Sequence, residues 1–230
     1  MESKLFTPVT FGPLTLRNRT IRSAAFESMC PGNAPSDMLL DYHRSVAAGG
    51  IGMTTVAYAA VTQSGLSFDR QLWMRPEIIP GLRKLTDAIH AEGAAAGIQL
   101  GHCGNMSHKS ICGCTPVGAS SGFNLYSPTF VRGLRAGELP EMARAYGKAV
   151  NLAREAGFDA VEIHAGHGYL ISQFLSPSTN HRKDEFGGSL ENRMRFMDMV
   201  MDEVMKAAGS DMAVTCEDEQ CVTVSGAAWR

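Results

Sequence analysis

Apolar, strand-like runs alternate with amphipathic, helix-like segments from the start of the chain to about residue 215, and this order restricts the fold more than any other feature of the sequence. Residues 21–26 read as a short strand. Residues 36–48 read as a helix, with Ser36 placed to cap it and Gly49–Gly50 to end it. A second strand over 51–57 is apolar and β-branched enough for burial on both faces. Pro76 sits in the first turn of a helix that runs to about Glu92, with Gly93 as its stop. Strands at 95–100 and 160–164, helices at 138–156 and 190–208, and the start of a fifth strand at 212–215 complete the series.

Strict alternation predicts a parallel sheet covered by helices, and both a doubly wound sheet and a (β/α)8 barrel satisfy it. Two features favour the barrel. No G-x-G-x-x-G phosphate fingerprint follows the first strand. Polar residues gather just after the strands: Glu27, Tyr58, Gln99 with His102, and His164 with His167. In a barrel all of those strand ends face one mouth. The first and fifth strands start at 21 and 212, about 48 residues per repeat, so eight repeats would need about 380. The expectation is an α/β, TIM-barrel-type fold truncated after about five strands. An open sheet of that kind leaves two edges for self-association, so a homo-oligomer is among the expectations.

Composition narrows the function by exclusion. A net charge of −2 without a basic stripe argues against a nucleic-acid or anionic-membrane partner. No apolar run reaches the length of a membrane span, and residues 1–8 lack the apolar region of a signal peptide. Six unevenly spaced cysteines fit reduced thiols in a cytosol better than a disulfide framework.

The densest chemistry lies in His164-Ala-Gly-His167-Gly-Tyr169, followed by Gln173-Phe-Leu-Ser-Pro177 and Gly187-Gly-Ser-Leu-Glu-Asn-Arg193. Two imidazoles three residues apart are able to converge on one carbonyl oxygen and stabilise charge there, with a tyrosine nearby to deliver a proton. A zinc pair or two structural histidines satisfy the bare H-x-x-H equally. A second group, His102, Cys103, His108, Cys112 and Cys114, has spacing tighter than usual zinc sites, and no metal is expected there. The stretch from 105 to 140 is long enough for a lid or specificity segment.

On these motifs the chain resembles the Old Yellow Enzyme group of NADH:flavin oxidoreductases, FMN-dependent ene-reductases built on a (β/α)8 barrel. Leu5-Phe-Thr-Pro8, Leu16-Arg-Asn-Arg19, Ser23-Ala-Ala-Phe-Glu27 and Gln99-Leu-Gly-His-Cys-Gly104 agree with it in order, over residues 5 to about 215. The resemblance implies FMN as cofactor and NADH or NADPH as reductant. Hydride would pass through the flavin to the C=C bond of an enone or enoate. It implies that His164 and His167 bind the substrate carbonyl and that Tyr169 is the proton donor. Gln99 would pair with the flavin's uracil-like edge, where a satisfied interior amide is the alternative. Ala24, Ala25 and Phe26 would touch the flavin by backbone. Ala24 stands where Pro is frequent, and Phe26 where Thr or Cys is. Tyr58 replaces a small residue, so only its backbone contact carries over. His102 reads as structural, and the 187–193 run as scaffold.

Residues 216–230 depart from the pattern. Glu217, Asp218 and Glu219 stand where the resemblance implies a strand with a Lys or Arg against the flavin, and the strands that grip the FMN phosphate are absent. With a chosen set of codons, reading Cys221 to Arg230 in a shifted frame gives a string of the kind that follows strand five in the family. The 216–230 segment is therefore expected to be an atypical, frameshifted tail on a 1–215 incomplete FMN-binding barrel. A non-catalytic fragment of such an enzyme is the second functional expectation.

Overall fold

The computed structural model describes residues 3–125 and 128–217. A hairpin of β1 (Val9–Phe11) and β2 (Leu14–Leu16) turns at Gly12, whose φ of 53° suits glycine. There follow β3 (Ile21–Arg22), α1 (Asp37–Ala48), β4 (Met53–Ala60), α2 (Ile79–Ala91) and β5 (Ala95–Gly101). Next come α3 (Lys109–Cys112), β6 (Val117–Gly118), β7 (Gly122–Asn124), β8 (Thr129–Gly133) and α4 (Leu139–Glu155). The series closes with β9 (Ala160–His164), α5 (Leu170–Leu175), α6 (Leu190–Ala208) and β10 (Ala213–Glu217).

The main sheet has the order β10-β9-β5-β4-β3, every pair parallel, as the alternation predicted. It is a curled parallel sheet of the kind that forms part of a (β/α)8 barrel. Its residues divide by parity. Val56, Ile98, Leu100, Val161 and Ile163 enter the large apolar core shared with the helices. Gln99 and Glu162 are register partners between them and present polar groups to the other face. The hairpin plugs the N-terminal end of the sheet: Leu16 packs with Met53, Ala160 and Ala213, one from each of three strands. The cavity and the chemistry therefore lie at the opposite, C-terminal end.

The helix punctuation is as the sequence implies. Ser36 Oγ accepts from Leu39 N at 3.2 Å, and Ser189 Oγ from Asn192 N at 3.3 Å. Strand boundaries differ. The first strand ends at Arg22 rather than Phe26, because Glu27 is drawn off the ladder into a cluster with Arg22 (2.9 Å) and His43 Nε2 (3.1 Å). The second runs on to Ala60, with an irregularity in its pairing between Val56 and Ala59, so Tyr58 lies inside it rather than at its end. The 105–140 stretch carries structure of its own: β6, β8 and β7 form a three-stranded sheet beside α3. The last strand continues through Cys216 and Glu217. The tail read from the sequence lies, from Asp218 on, outside the described residues.

Tyr146, on α4, is fully buried, and its hydroxyl has no hydrogen-bond partner among the described residues. Removing an unsatisfied buried hydroxyl relieves its desolvation penalty. Tyr146→Phe is expected to stabilise the fold by about 1 kcal/mol, read as a higher urea midpoint with unchanged slope.

Candidate active site

The residues singled out in the sequence meet at one place. Ala24, Ala25, Phe26, Tyr58, Gln99, His164, His167 and Tyr169, together with Ala57, line a cavity of about 130 Å³ at the strand ends. A larger groove of about 1020 Å³ runs along α4 past Met142, Ala145, Ala149 and Leu152, and shares none of these residues. Its charged groups are already engaged, Arg132 with Glu138, Lys148 with Glu141 and Arg75 with the Asn33 and Gly32 carbonyls, so the smaller cavity is the chemically equipped one.

Each site residue has an identifiable support. Parallel pairing brings Gln99 level with Glu162, and His164 level with Glu217. After His164 the chain turns back sharply: His167 (φ 55°) and Gly168 (φ 66°) both adopt left-handed backbone, a strained conformation for histidine. That reversal places His167 Nδ1 at 3.2 Å from His164 Nε2 and leaves the His167 side chain 64% exposed. Tyr169 follows, its ring centroid 4.9 Å from His164 and 5.4 Å from Tyr58. Gln173, on α5, fastens this loop to the one after β5. Its Nε2 donates to the carbonyls of Gly168 (2.7 Å) and Cys103 (3.1 Å), and its Oε1 accepts from Asn105 N at 3.1 Å. The sequence motif contained Gln173 without revealing this role, since nothing in its spacing shows which loop it will reach.

Electrostatics differ between the groups. Burial, then the neighbouring His167, brings His164 down to about 4, so it is neutral near pH 7. Its Nδ1 is buried. Glu217 Oε2 lies 3.0 Å away but off the line of a hydrogen bond, so the nitrogen has no partner among the described residues. Burial raises Tyr169, which keeps its phenol protonated. Gln99 Nε2 donates to two carboxylates at once, Glu162 Oε1 at 2.7 Å and Glu217 Oε2 at 2.6 Å. Burial, opposed by the Gln99 contact and assisted by the Glu217 charge, raises the Glu162 carboxyl.

Tyr58 departs from the sequence reading and His102 follows it. Tyr58 contributes its side chain to the cavity, not only its backbone: it fills the space between His164 and Tyr169, and its hydroxyl donates to Ser67 Oγ at 2.9 Å. His102 is structural, as expected. Its Nδ1 accepts from Gly104 N at 2.9 Å, which fixes the proton on Nε2, 3.1 Å from Ser64 Oγ. Burial pushes His102 down to about 3. Between that value and the ordinary His range near 6.5 only the unfolded chain takes up the proton, so stability is present above pH 6.5 and falls with pH below it. From pH 7 to pH 5 this group removes up to about 2 kcal/mol. His102→Asn is expected to lose that share of the acid sensitivity, checked by urea unfolding at both pH values.

Among the described residues, the His, Cys, Asp or Glu group whose ligand atoms converge is His164, His167 and Glu217; the His102, Cys103, His108, Cys112 and Cys114 set does not. The loop run read as scaffold is tied down accordingly, with Asn192 Nδ2 donating to the Gly187 carbonyl at 3.0 Å and Arg193 Nε to that of Leu175 at 2.6 Å.

A family model described as NADH:flavin oxidoreductase / NADH oxidase matches residues 4–217. The chain belongs to this family. It is 42% identical to the 4,4'-dithiodibutanoate disulfide reductase of Rhodococcus erythropolis, over 93% of this chain and 53% of that protein. It is 39% identical to the NADPH dehydrogenase of Bacillus subtilis, over 89% of this chain and 60% of that protein. Its fold superposes on the Old Yellow Enzyme homologue of Zymomonas mobilis with a TM-score of 0.85 at 30% identity, covering 93% of this chain and 63% of that one. The chain thus spans little more than half the length of these curated relatives. These relatives are oxidoreductases, and FMN with a reduced nicotinamide is the family's cofactor pair.

The site suits one edge of a flavin. Gln99 stands at the cavity, its amide N–H groups engaged here by Glu162 and Glu217, and the 24–26 backbone has left the ladder beside it. Ligand pockets usually hold roughly 300–1,000 Å³. The cavity is smaller because Tyr58 occupies part of it and Glu217 reaches across to Gln99.

Proposed function

We propose that the chain is the substrate-activating part of an FMN-dependent ene-reductase acting on α,β-unsaturated carbonyl compounds. The observation that carries this reading is the convergence of His164, His167, Tyr169 and Gln99 on one cavity. FMN, when bound, supplies hydride taken from NADH or NADPH. Gln99 orients its uracil-like edge, and the backbone at Ala24, Ala25, Phe26 and Tyr58 carries the ring. His164 and His167 donate to the substrate oxygen, where negative charge grows as hydride reaches the β-carbon. Tyr169, held protonated by burial, delivers a proton to the α-carbon. No helix among the described residues is long and apolar enough to cross a membrane. The five described cysteines are free, which supports the proposal of a reducing, cytosolic compartment.

The test is binding of a para-substituted phenol, a stand-in for the enolate oxygen, to flavin-loaded protein. His167→Ala and His164→Ala are each expected to weaken it roughly tenfold, the worth of one charge-assisted hydrogen bond. Unchanged affinity in both would remove the histidines from this role. A second reading, a non-catalytic piece of such an enzyme, is favoured by Glu217 lying on Gln99. A stoichiometric flavin spectrum in the purified chain would exclude it.

A further inference from the structure

We propose that His164, His167 and Glu217 form a three-ligand site for a divalent transition-metal ion of the zinc type. The inference shares its histidines with the reading above but needs no flavin. Each side chain offers one donor atom, and these atoms lie within 4.8 Å of one another. His164 Nδ1 is 3.0 Å from Glu217 Oε2, and His167 Nε2 is 3.8 Å from Glu217 Oε1. Metal–ligand bonds of about 2.0–2.2 Å at tetrahedral angles place neighbouring ligand atoms roughly 3.3–3.5 Å apart. The two separations fall either side of that spacing but run to the two different oxygens of Glu217, and with the three ligand atoms within 4.8 Å of one another, side-chain rotations would bring one oxygen and both imidazoles onto a shared ion.

An independent observation points the same way. His164 is 3% exposed, and its Nδ1 is buried with no hydrogen-bond partner among the described residues. A buried nitrogen without a partner, 3.0 Å from a carboxylate oxygen, carries an uncompensated desolvation cost that a coordinated cation would relieve once the ring turns its lone pair toward it. The second layer is also present. Gln99 Nε2 donates to Glu217 Oε2 at 2.6 Å and to Glu162 Oε1 at 2.7 Å, which orients the ligand carboxylate and leaves Glu217 Oε1 available. Neighbouring strands set the spacing, since Glu217 and His164 are register partners on β10 and β9.

The donor set selects the ion. Two imidazoles and one carboxylate suit zinc, cobalt or iron, whereas magnesium and calcium prefer all-oxygen shells. Three protein ligands leave a position open toward the cavity, beside Tyr169. A bound ion would occupy the place where the histidines meet a carbonyl oxygen, so metal and enone compete.

The experiment is a titration of the flavin-free, chelator-treated chain with Co²⁺, followed by displacement with Zn²⁺. One equivalent of Co²⁺ is expected to give ligand-field bands without thiolate charge transfer, and Zn²⁺ to abolish them. Glu217→Gln, which keeps the contact to Gln99, and His167→Ala, at an exposed side chain, each leave the fold intact and are expected to weaken binding by at least about 100-fold. Absence of the bands, thiolate bands, or affinity unchanged in both variants would overturn the proposal. An FMN titration of the same metal-free samples separates the two readings: failure to bind FMN sinks the flavin reading alone, and failure to bind Co²⁺ sinks the metal site alone.

Discussion

Phe174→Ala is expected to destabilise the chain by about 3–5 kcal/mol, the range for deleting a fully buried aromatic ring. The ring is wholly inaccessible and lies 4.5 Å, centroid to centroid, from Phe196 on α6, with the Arg182 guanidinium 5.5 Å above it. Both rings belong to the core beneath the mouth, so a cavity there finds little that is free to collapse. The Phe174 carbonyl also accepts from Asn180 Nδ2 at 2.7 Å, which ties the 176–188 loop to the same helix. Against a typical total of about 5–15 kcal/mol, the loss is large enough to populate the unfolded state. Urea unfolding measures it, with Phe174→Leu as a control expected to cost less than about 1.5 kcal/mol. A loss below about 1 kcal/mol for the alanine variant would mean that α5 is not docked as described.

Glu217→Lys is expected to raise FMN affinity about tenfold in chelator-treated protein, with Glu217→Gln giving a smaller gain. As it stands, the carboxylate takes Gln99 Nε2 at 2.6 Å and places negative charge where a flavin's carbonyl edge would lie. Unit charges about 4 Å apart interact by about 4 kcal/mol at an effective dielectric constant of 20. Glu217 is about a third exposed, so solvent screening reduces the effect to about 1–2 kcal/mol, or roughly tenfold. Fluorescence quenching of FMN gives the number directly. Weaker binding by the lysine variant would show that the end of β10 does not face the flavin.

Periodicity and punctuation made the fold legible. The limits of β9 and α6 fell where the apolar runs and Gly209 placed them, because β9 is a short, largely apolar run between Gly157 and the 164–168 turn, and α6 is long, regular and closed by Gly209. The ends of β3 and β4 did not, because tertiary partners decided them: Glu27 left the ladder for Arg22 and His43, and Tyr58 stayed in a strand with an irregular register. The small sheet in the 105–140 stretch has strands of two to five residues, too short for a period to register. At the site, the side chains that line the cavity were legible through their motif. Glu162 was not, and Glu217 was marked only as standing where a cation was expected; their contacts with Gln99 and His164 depend on the neighbouring strand's register, which no single segment encodes. Gln173 belongs to the legible Gln-Phe-Leu-Ser-Pro string, and only its three-way contact shows why a glutamine stands there.

That contact has a mechanical consequence. Gln173 ties the Cys103 carbonyl, Asn105 and the Gly168 carbonyl together, while Leu170 N donates to the His102 carbonyl at 2.9 Å. The turn that carries the two imidazoles and the phenol is therefore not an independent flap. It rides with the neighbouring loop as one piece, so thermal displacement moves His164, His167 and Tyr169 together and leaves their mutual spacing largely untouched. A residue added or lost between 102 and 105 would shift the frame on which this turn sits, whereas the outer sheet of the 105–140 stretch has room to change the contour of the mouth without disturbing its teeth.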